Sequence, residues 1–335
     1  MKHFTLLAWV PLACALPAFA NVTIASPTSG AEVVSPFSLV AAASECSSQF
    51  VTSMSYWIDN NNPTIVRGSS INTSVSSITG AHTVYLKSIG RQGAVCEASV
   101  AIIVVPDPTS LVPSDALIFN GIQALSSWQY MSLVSSGGTT ASGSTKTVAR
   151  PSLSGQAREF ATQFTNYDDE LYYTVIGDNT AVTNFLYDGW VYVARPSKGI
   201  ANVELDMNQV MSNGQTVIFG FQCDGYSGTW DYTANEGTPE AYSDQWLHSL
   251  IPCNPRNWTT NTWHHVQITY SRDENGGVTY QSVWFDGVEG DINATVSSAF
   301  ALGWAPVLLT NFEVDGYGAS GSSTLYLDKL TVYGW

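Results

Sequence analysis

Residues 202–210 read NVELDMNQV, in which Glu204, Asp206 and Asn208 alternate with Val203, Leu205 and Met207. A period of two is the mark of a strand, on which residues two apart share a face and sit about 6.6 Å apart. Val203, Leu205 and Met207 are then predicted to fill a core, while Glu204, Asp206 and Asn208 project from the other face. Carboxylates in that arrangement suit proton transfer to a reacting group or hydrogen bonding to the hydroxyls of a ligand. They equally suit a solvated strand face that binds nothing. NFEVDG, 311–316, repeats the pattern, with Asn311, Glu313 and Asp315 alternating with Phe312 and Val314. Glu313 is therefore predicted to share a groove with Glu204 and to form a carboxylate pair with it.

The elements that must position these residues are strands. Short runs rich in Val, Ile, Thr, Tyr and Phe recur between Gly, Ser, Asn and Asp clusters, and no stretch has a helical apolar stripe, so the chain reads as all-β. PDPTSLVPSD, 106–115, carries three prolines and divides the sequence. It reads as a short stiff linker (107–115) between a domain at 21–106 and one at 116–335. The first holds about seven short strands in some 85 residues, the count of an immunoglobulin-like sandwich. The second holds more than ten, as a two-sheet jelly roll does. It also holds nine of the eleven tryptophans and fourteen of the sixteen tyrosines.

Residues 1–20 read as a secretory signal peptide: a basic MKH start, an apolar run, and Ala18-Phe19-Ala20 as the cleavage site. The expected location is secreted, extracellular or at the cell surface, and no later stretch is apolar enough for a membrane span. A lipid anchor on Cys14 is a weaker option, because Pro11-Leu12-Ala13 fits a lipoprotein signal poorly. The remaining cysteines are Cys46, Cys96, Cys223 and Cys253; an even count in an exported chain implies two disulfides. Proximity favours Cys46–Cys96 and Cys223–Cys253. Residues 107–335 carry eight basic and 23 acidic residues. That balance disfavours nucleic acid, an anionic membrane and a strongly anionic polysaccharide as partners. Acidic, aromatic-rich and exported together point to neutral glycans.

Three further features bear on function. The segment between Cys223 and Cys253 reads as a long loop stapled at its base, with Tyr226, Trp230, Tyr232, Tyr242 and Trp246 as faces on which sugar rings could stack. His264 and His265 occupy opposite-facing positions of one strand, one buried and one exposed. Asp59–Asn62, Asp224 and Asp286-Gly287 could ligate a structural calcium, although turn chemistry explains them more simply; no other cofactor or metal site is expected. Trp57, in SMSYWIDNN, is expected to pack in the core of the first domain.

SPTSGAEVVSPFSLVAAAS, SMSYWIDNN and GAHTVYLKSIGRQGAV resemble a widespread bacterial Ig-like domain over nearly all of 22–105. Cys96 lies after the HTVYLKSIG strand, on the last strand, so the bridge is not of the antibody type. WHHVQITYSRD, VWFDG and LYLDKLTVYGW resemble the closing run of concanavalin A-like lectin/glucanase (laminin-G-like) domains. Together the chain resembles exported bacterial proteins with an Ig-like module followed by that sandwich. NVELDMNQV resembles the catalytic strand of laminarinase-type glycoside hydrolases in degenerate form. The resemblance implies Glu204 as nucleophile and Asp206 as helper, but puts Asn208 or Gln209 where the acid/base should stand. An amide cannot protonate a leaving oxygen. Alginate-lyase motifs are missing.

The favoured expectation is a non-catalytic, monomeric carbohydrate-binding protein. Its predicted contacts are Glu204, Asp206, Asn208, Trp230, Tyr232, Trp246 and Glu313. The alternatives are a glycan-cleaving hydrolase or lyase with a rebuilt acid/base site around Glu204, Asp206 and Glu313, and a surface adhesion protein without sugar specificity.

Overall fold

The computed structural model describes residues 22–133 and 140–335; the expected signal peptide and Cys14 lie outside them. The described chain is an all-β sandwich protein. Helical structure among the described residues is confined to three 3₁₀ turns, Pro108–Leu111, Ile122–Ala124 and Pro255–Asn257. None of its helices is long and apolar enough to cross a membrane. The chain divides into two compact units. One contains 22–31 and Ser38–Val104, the other Glu32–Phe37 and Val105–Trp335.

In the first unit, Gly80–Gly90 lies between Gln49–Ile58 and Val95–Val105, all antiparallel. Phe37–Ala42 pairs with Thr23–Ser26 and Ser70–Val75 in a separate three-stranded sheet. Leu39, Met54, Ile71, Val84, Leu86 and Ile102 are buried between them. Cys46 and Cys96 form a disulfide, with Cys96 on the last strand. Trp57 does not join the core. It alternates with the buried Ile58, lies on the outward face, and stacks on half-exposed Tyr85 at 5.4 Å.

The second unit has two sheets. One runs Ser142–Val148, Ala157–Phe164, Gly321–Gly334, Asn184–Val193, Trp263–Arg272, Gly277–Phe285, Val288–Ser297. The other runs Gln129–Leu133, Asp169–Gly177, Leu308–Gly316, Ile200–Val210, Phe221–Asp224, Thr229–Asn235, Asp244–Pro252. Aromatic rings close the space between them: Phe160 stacks on Phe312 at 4.4 Å, Tyr270 on Phe219 at 4.9 Å, and Tyr280 packs against Tyr232 at 5.0 Å. Val203, Leu205 and Met207 are completely buried there, each such side chain contributing about 1.5–3 kcal/mol.

One sequence expectation changes here. The segment from Cys223 to Cys253 is not a long loop: most of it forms the Thr229–Asn235 and Asp244–Pro252 strands, antiparallel to each other, and the Cys223–Cys253 disulfide ties its two ends. The start of the proline-rich stretch is held within the second unit. Asp107 caps the Pro108–Leu111 turn, and its Oδ1 also accepts from Gln267 Nε2 at 3.2 Å.

Candidate functional site

The site is built by register. In an antiparallel pair, directly opposite residues share a face with Cβ atoms about 4.5–5.5 Å apart. Glu204 lies opposite Glu313 on one neighbouring strand and opposite Gln222 on the other. Gln222 lies opposite Asp231, and Asp231 opposite His248. The row Glu313, Glu204, Gln222, Asp231, His248 thus crosses five adjacent strands, about 19 Å at the usual strand spacing. A second row beside it pairs Asp169 with Asp315 and Asn202 with Asp224. A third pairs Tyr173 with Asn311 and Asn311 with Asp206.

This face is not wet. Glu204, Asp206 and Asn208 are only 7%, 6% and 2% exposed, and Glu313 and Asp315 are 8% and 9% exposed. The face is shielded, with only a small part of each side chain accessible, and so differs from an ordinary solvated face.

Burial sets the electrostatics. One oxygen of each of Glu204, Glu313 and Asp315 lies within 4.8 Å of the others. Burial, then the charges of Glu313, Asp315 and Asp206, holds the Glu204 carboxyl well above the usual range. Burial and Asp315 do the same to Glu313, and burial and Asp169 to Asp315. Asp206 is pushed up to about 7 by burial, against the Phe221 N–H that donates to its Oδ1 at 2.8 Å. Asp169 is pushed up to about 6 by burial and by Asp168. The cluster therefore keeps protons at a pH where ordinary carboxyls have lost them.

Few donors relieve it. Asn202 Nδ2 donates to Asp315 Oδ2 at 3.0 Å. Asp315 Oδ1, Gln222 Oε1, Asn208 Oδ1 and Asn311 Oδ1 are buried without a hydrogen-bond partner. Among the described residues no ion pair involves Glu204, Asp206, Glu313 or Asp315; the nearest in the row is His248 Nδ1 with Asp231 Oδ2 at 2.7 Å. Asp231 also accepts from Ser227 and Thr229 hydroxyls at 3.0 and 2.6 Å, so its carboxylate is satisfied.

The remaining sequence candidates separate by parity. Gln209 faces away from the row: its Oε1 accepts from Arg272 and its Nε2 donates to Val182 O at 2.8 Å. Of the two positions suggested for a missing acid, only Asn208 lies on the face of Glu204. Trp230 is 1% exposed and stacks on Phe221 at 5.4 Å in the core, so it offers no face to a ligand. Tyr232 has the same parity and packs inward against Tyr280. Both alternate with Asp231, which takes the polar side. Trp246 is half-buried and shares its side with His248. Tyr242 is exposed and packs edge-on to Phe300.

His264 is buried and bonded to Asp286, while half-exposed His265 pairs with Asp188 Oδ1 at 2.7 Å and stacks on Trp190 at 4.4 Å. Both sit on the opposite sheet, and His265 faces outward beside Gln123 and Lys329. It cannot serve as proton donor to Glu204. In the turns considered for calcium, Asp59 accepts from Thr83 N and pairs with His82, and Asp286 accepts from His265 N and pairs with His264.

Sequence reasoning singled out Tyr226 but missed its companions. Tyr226 is 49% exposed and lies 5.2 Å from Tyr317, nearly parallel, and 6.4 Å from Tyr167. Its hydroxyl donates to Gly316 O at 2.7 Å, next to Asp315, and burial with the Asp315 charge pushes its pKa to about 12. Arg256 lies over the Tyr317 ring at 3.8 Å. Three exposed rings thus adjoin one end of the acid cluster. The signals were YDD at 167–169 and GYG at 316–318, each too short to be read alone.

No protein-family model matches the chain, and no curated protein matches it. Solved structures are similar only distantly. A structure from work on the promiscuous specificity of β-sandwich carbohydrate-binding modules aligns at 10% identity and a TM-score of 0.34, covering 93% of this chain and 96% of its own. A family 11 carbohydrate-binding module from Clostridium thermocellum, in complex with a β-1,3-1,4-mixed-linked tetrasaccharide, aligns at 10% identity and a TM-score of 0.30, covering 65% and 94%. A family 7 alginate lyase aligns at 13% identity and a TM-score of 0.32, covering 64% and 99%. Similarity this remote transfers no function.

Proposed function

We propose that the second unit binds a neutral polysaccharide on the polar face of the sheet that carries Glu204. The observation behind this reading is one arrangement: a band of carboxyl and amide groups, crossing five strands, ends against the exposed rings of Tyr167, Tyr226 and Tyr317. Carboxylates and amides accept and donate to sugar hydroxyls, and tyrosine rings cover the apolar C–H faces of sugars. Trp246 flanks the other end. The first unit, on its resemblance to Ig-like domains, acts as a spacer, and the protein acts outside the cytoplasm, where its two disulfides persist. A glycan array with the mature chain tests the reading: binding to one or more neutral β-glucans or related polymers is expected. An array without signal for the wild type, under conditions where it is folded, would leave adhesion without sugar specificity.

A second reading rests on the Glu204–Glu313 pair. Retaining glycosidases set two carboxyl groups about 5–5.5 Å apart, one a nucleophile and one holding a proton. Glu313 supplies the second carboxyl that Asn208 cannot. On this reading Glu204 attacks and Glu313 protonates the leaving oxygen. Reducing-end release from laminarin, lichenan, agarose or xyloglucan, lost in both Glu204→Gln and Glu313→Gln, would replace binding by cleavage. Binding without release keeps the first reading.

A further inference from the structure

We propose that Glu204, Glu313, Asp315 and Gln222 form a site for a hard divalent cation of the calcium class, and that its open coordination positions, on the polar face of the sheet, take sugar hydroxyls.

Buried carboxyl groups gathered on one face need protons, donors or a cation. At Asp231 the need is met by two hydroxyls and His248. No ion pair among the described residues reaches Glu204, Glu313 or Asp315, and Asn202 supplies one hydrogen bond, so that without a cation the group holds protons instead. The second observation is independent of the cluster itself. Gln222, outside the acid cluster, leaves its Oε1 an acceptor without a donor on a side chain 1% exposed; within the cluster Asp315 Oδ1 is likewise unpartnered. An acceptor left so in the interior is costly and calls for an explanation such as an ion. Gln222 stands directly opposite Glu204 on the same face, which puts its side chain beside the cluster.

The dimensions agree. Calcium holds oxygens at about 2.3–2.6 Å, so ligands on opposite sides of it stand about 5 Å apart. Oxygens of the three carboxyl groups that all lie within 4.8 Å of one another fit around one such ion. The donors are all oxygen, which selects hard cations over zinc or copper. Four protein side chains leave two to four positions open in a shell of six to eight. Water or the vicinal hydroxyls of a sugar would complete it. The sugar half of this proposal rests on the glycan-binding reading; the cation half does not.

The test uses the mature full-length chain, stripped with chelator and titrated with calcium chloride alone by calorimetry, with the melting temperature followed in parallel. Saturable binding below about 1 mM, a rise in melting temperature reversed by chelator, and release of protons on binding are expected. Glu313→Gln and Asp315→Asn should each weaken calcium binding about tenfold or more, while Asp188→Asn, on the opposite sheet, should leave it within about twofold. Absence of heat, melting shift and proton release for calcium, magnesium and manganese up to about 10 mM would overturn the site for the wild type, whatever the variants do. Loss of binding in Asp231→Asn with retention in Glu313→Gln would overturn its location. Repeating the glycan array with calcium and with chelator separates the two halves. Glycan signal that ignores chelator overturns the bridging role and leaves the groove reading intact. Calcium binding without any glycan signal upholds the ion site and sinks the glycan reading.

Discussion

Two places in the second unit bury acids equally deeply and treat them in opposite ways. Asp328 is fully buried on the Gly321–Gly334 strand, and burial pushes its carboxyl up. Donors more than offset this: the hydroxyls of Ser152 and Ser154 at 2.7 and 2.6 Å, the N–H groups of Leu153, Ser154 and Lys329, and Gln123 Nε2 at 3.3 Å. Its pKa falls below the ordinary value. The Glu204, Glu313 and Asp315 group is as hidden but has almost no donors, and its pKa values rise. A buried acid ringed by donors is holding the fold together. A buried acid without them keeps its proton, and such a perturbed cluster is a candidate functional site.

The contrast breaks if the two sites respond alike to substitution. Asp328→Ala should cost about 4 kcal/mol of stability, since it leaves several buried donors without an acceptor. Glu204→Gln should leave chemical denaturation midpoints unchanged or raised. A mild Asp328→Ala would mean that its ring of donors is not structural.

The pH dependence is the next largest effect. Raised carboxyls bind more protons folded than unfolded, so stability is greatest below the unfolded values and falls as pH rises through the folded ones. For Asp206, between an ordinary 3.8 and about 7, the loss is on the order of 4 kcal/mol. Measured with chelator present, unfolding free energy should decline between about pH 4 and 7. The Glu204→Gln/Glu313→Gln double variant should decline less. A stability that climbs over that interval would contradict the raised values.

Binding sharpens the comparison further. Glu204→Gln should weaken glycan affinity by about 1.5 kcal/mol, the upper end for a hydrogen bond of an uncharged group, since Glu204 keeps its proton. Unchanged affinity on an otherwise binding array would remove Glu204 from the contact surface. The smallest effect is at the rim, where Tyr226→Ala should cost about 1 kcal/mol of affinity and little stability. Trp230→Ala should do the reverse, destabilising by about 3–5 kcal/mol. Equal affinity losses at the two positions would show that the assignment of inner and outer rings is mistaken.

Much of this was legible in the sequence wherever the information was local. Alternation gave the strands, the core face of Val203, Leu205 and Met207, and the shared side of Glu204 and Glu313. Proximity gave both disulfides. What failed was mostly long-range. A segment read as a loop has no inward and outward parity, so Trp230 and Tyr232 were expected as open stacking faces, although on the Thr229–Asn235 strand they alternate with Thr229, Asp231 and Thr233. The Gly- and Asp-rich composition of 223–253 concealed two strands. The Tyr167, Tyr226 and Tyr317 platform is assembled from three separate stretches, and only the register between strands brings them together. Asn208 and Gln209 looked equivalent as acid positions until their neighbours showed that one faces the groove and the other Arg272.

The burial of Ile200–Val210 on both faces also limits how such a chain can diverge. A slip of one residue would drive Glu204 and Asp206 into the hydrocarbon side and lift Val203, Leu205 and Met207 into the acidic one. Individual side chains along it can change, but its length cannot. Inserting a single alanine within 202–208 should abolish folding of the second unit, while the same insertion at 212–214, in the turn that follows, should be carried without loss. In a lineage descended from this sequence, gaps would accumulate everywhere sooner than in these eleven residues.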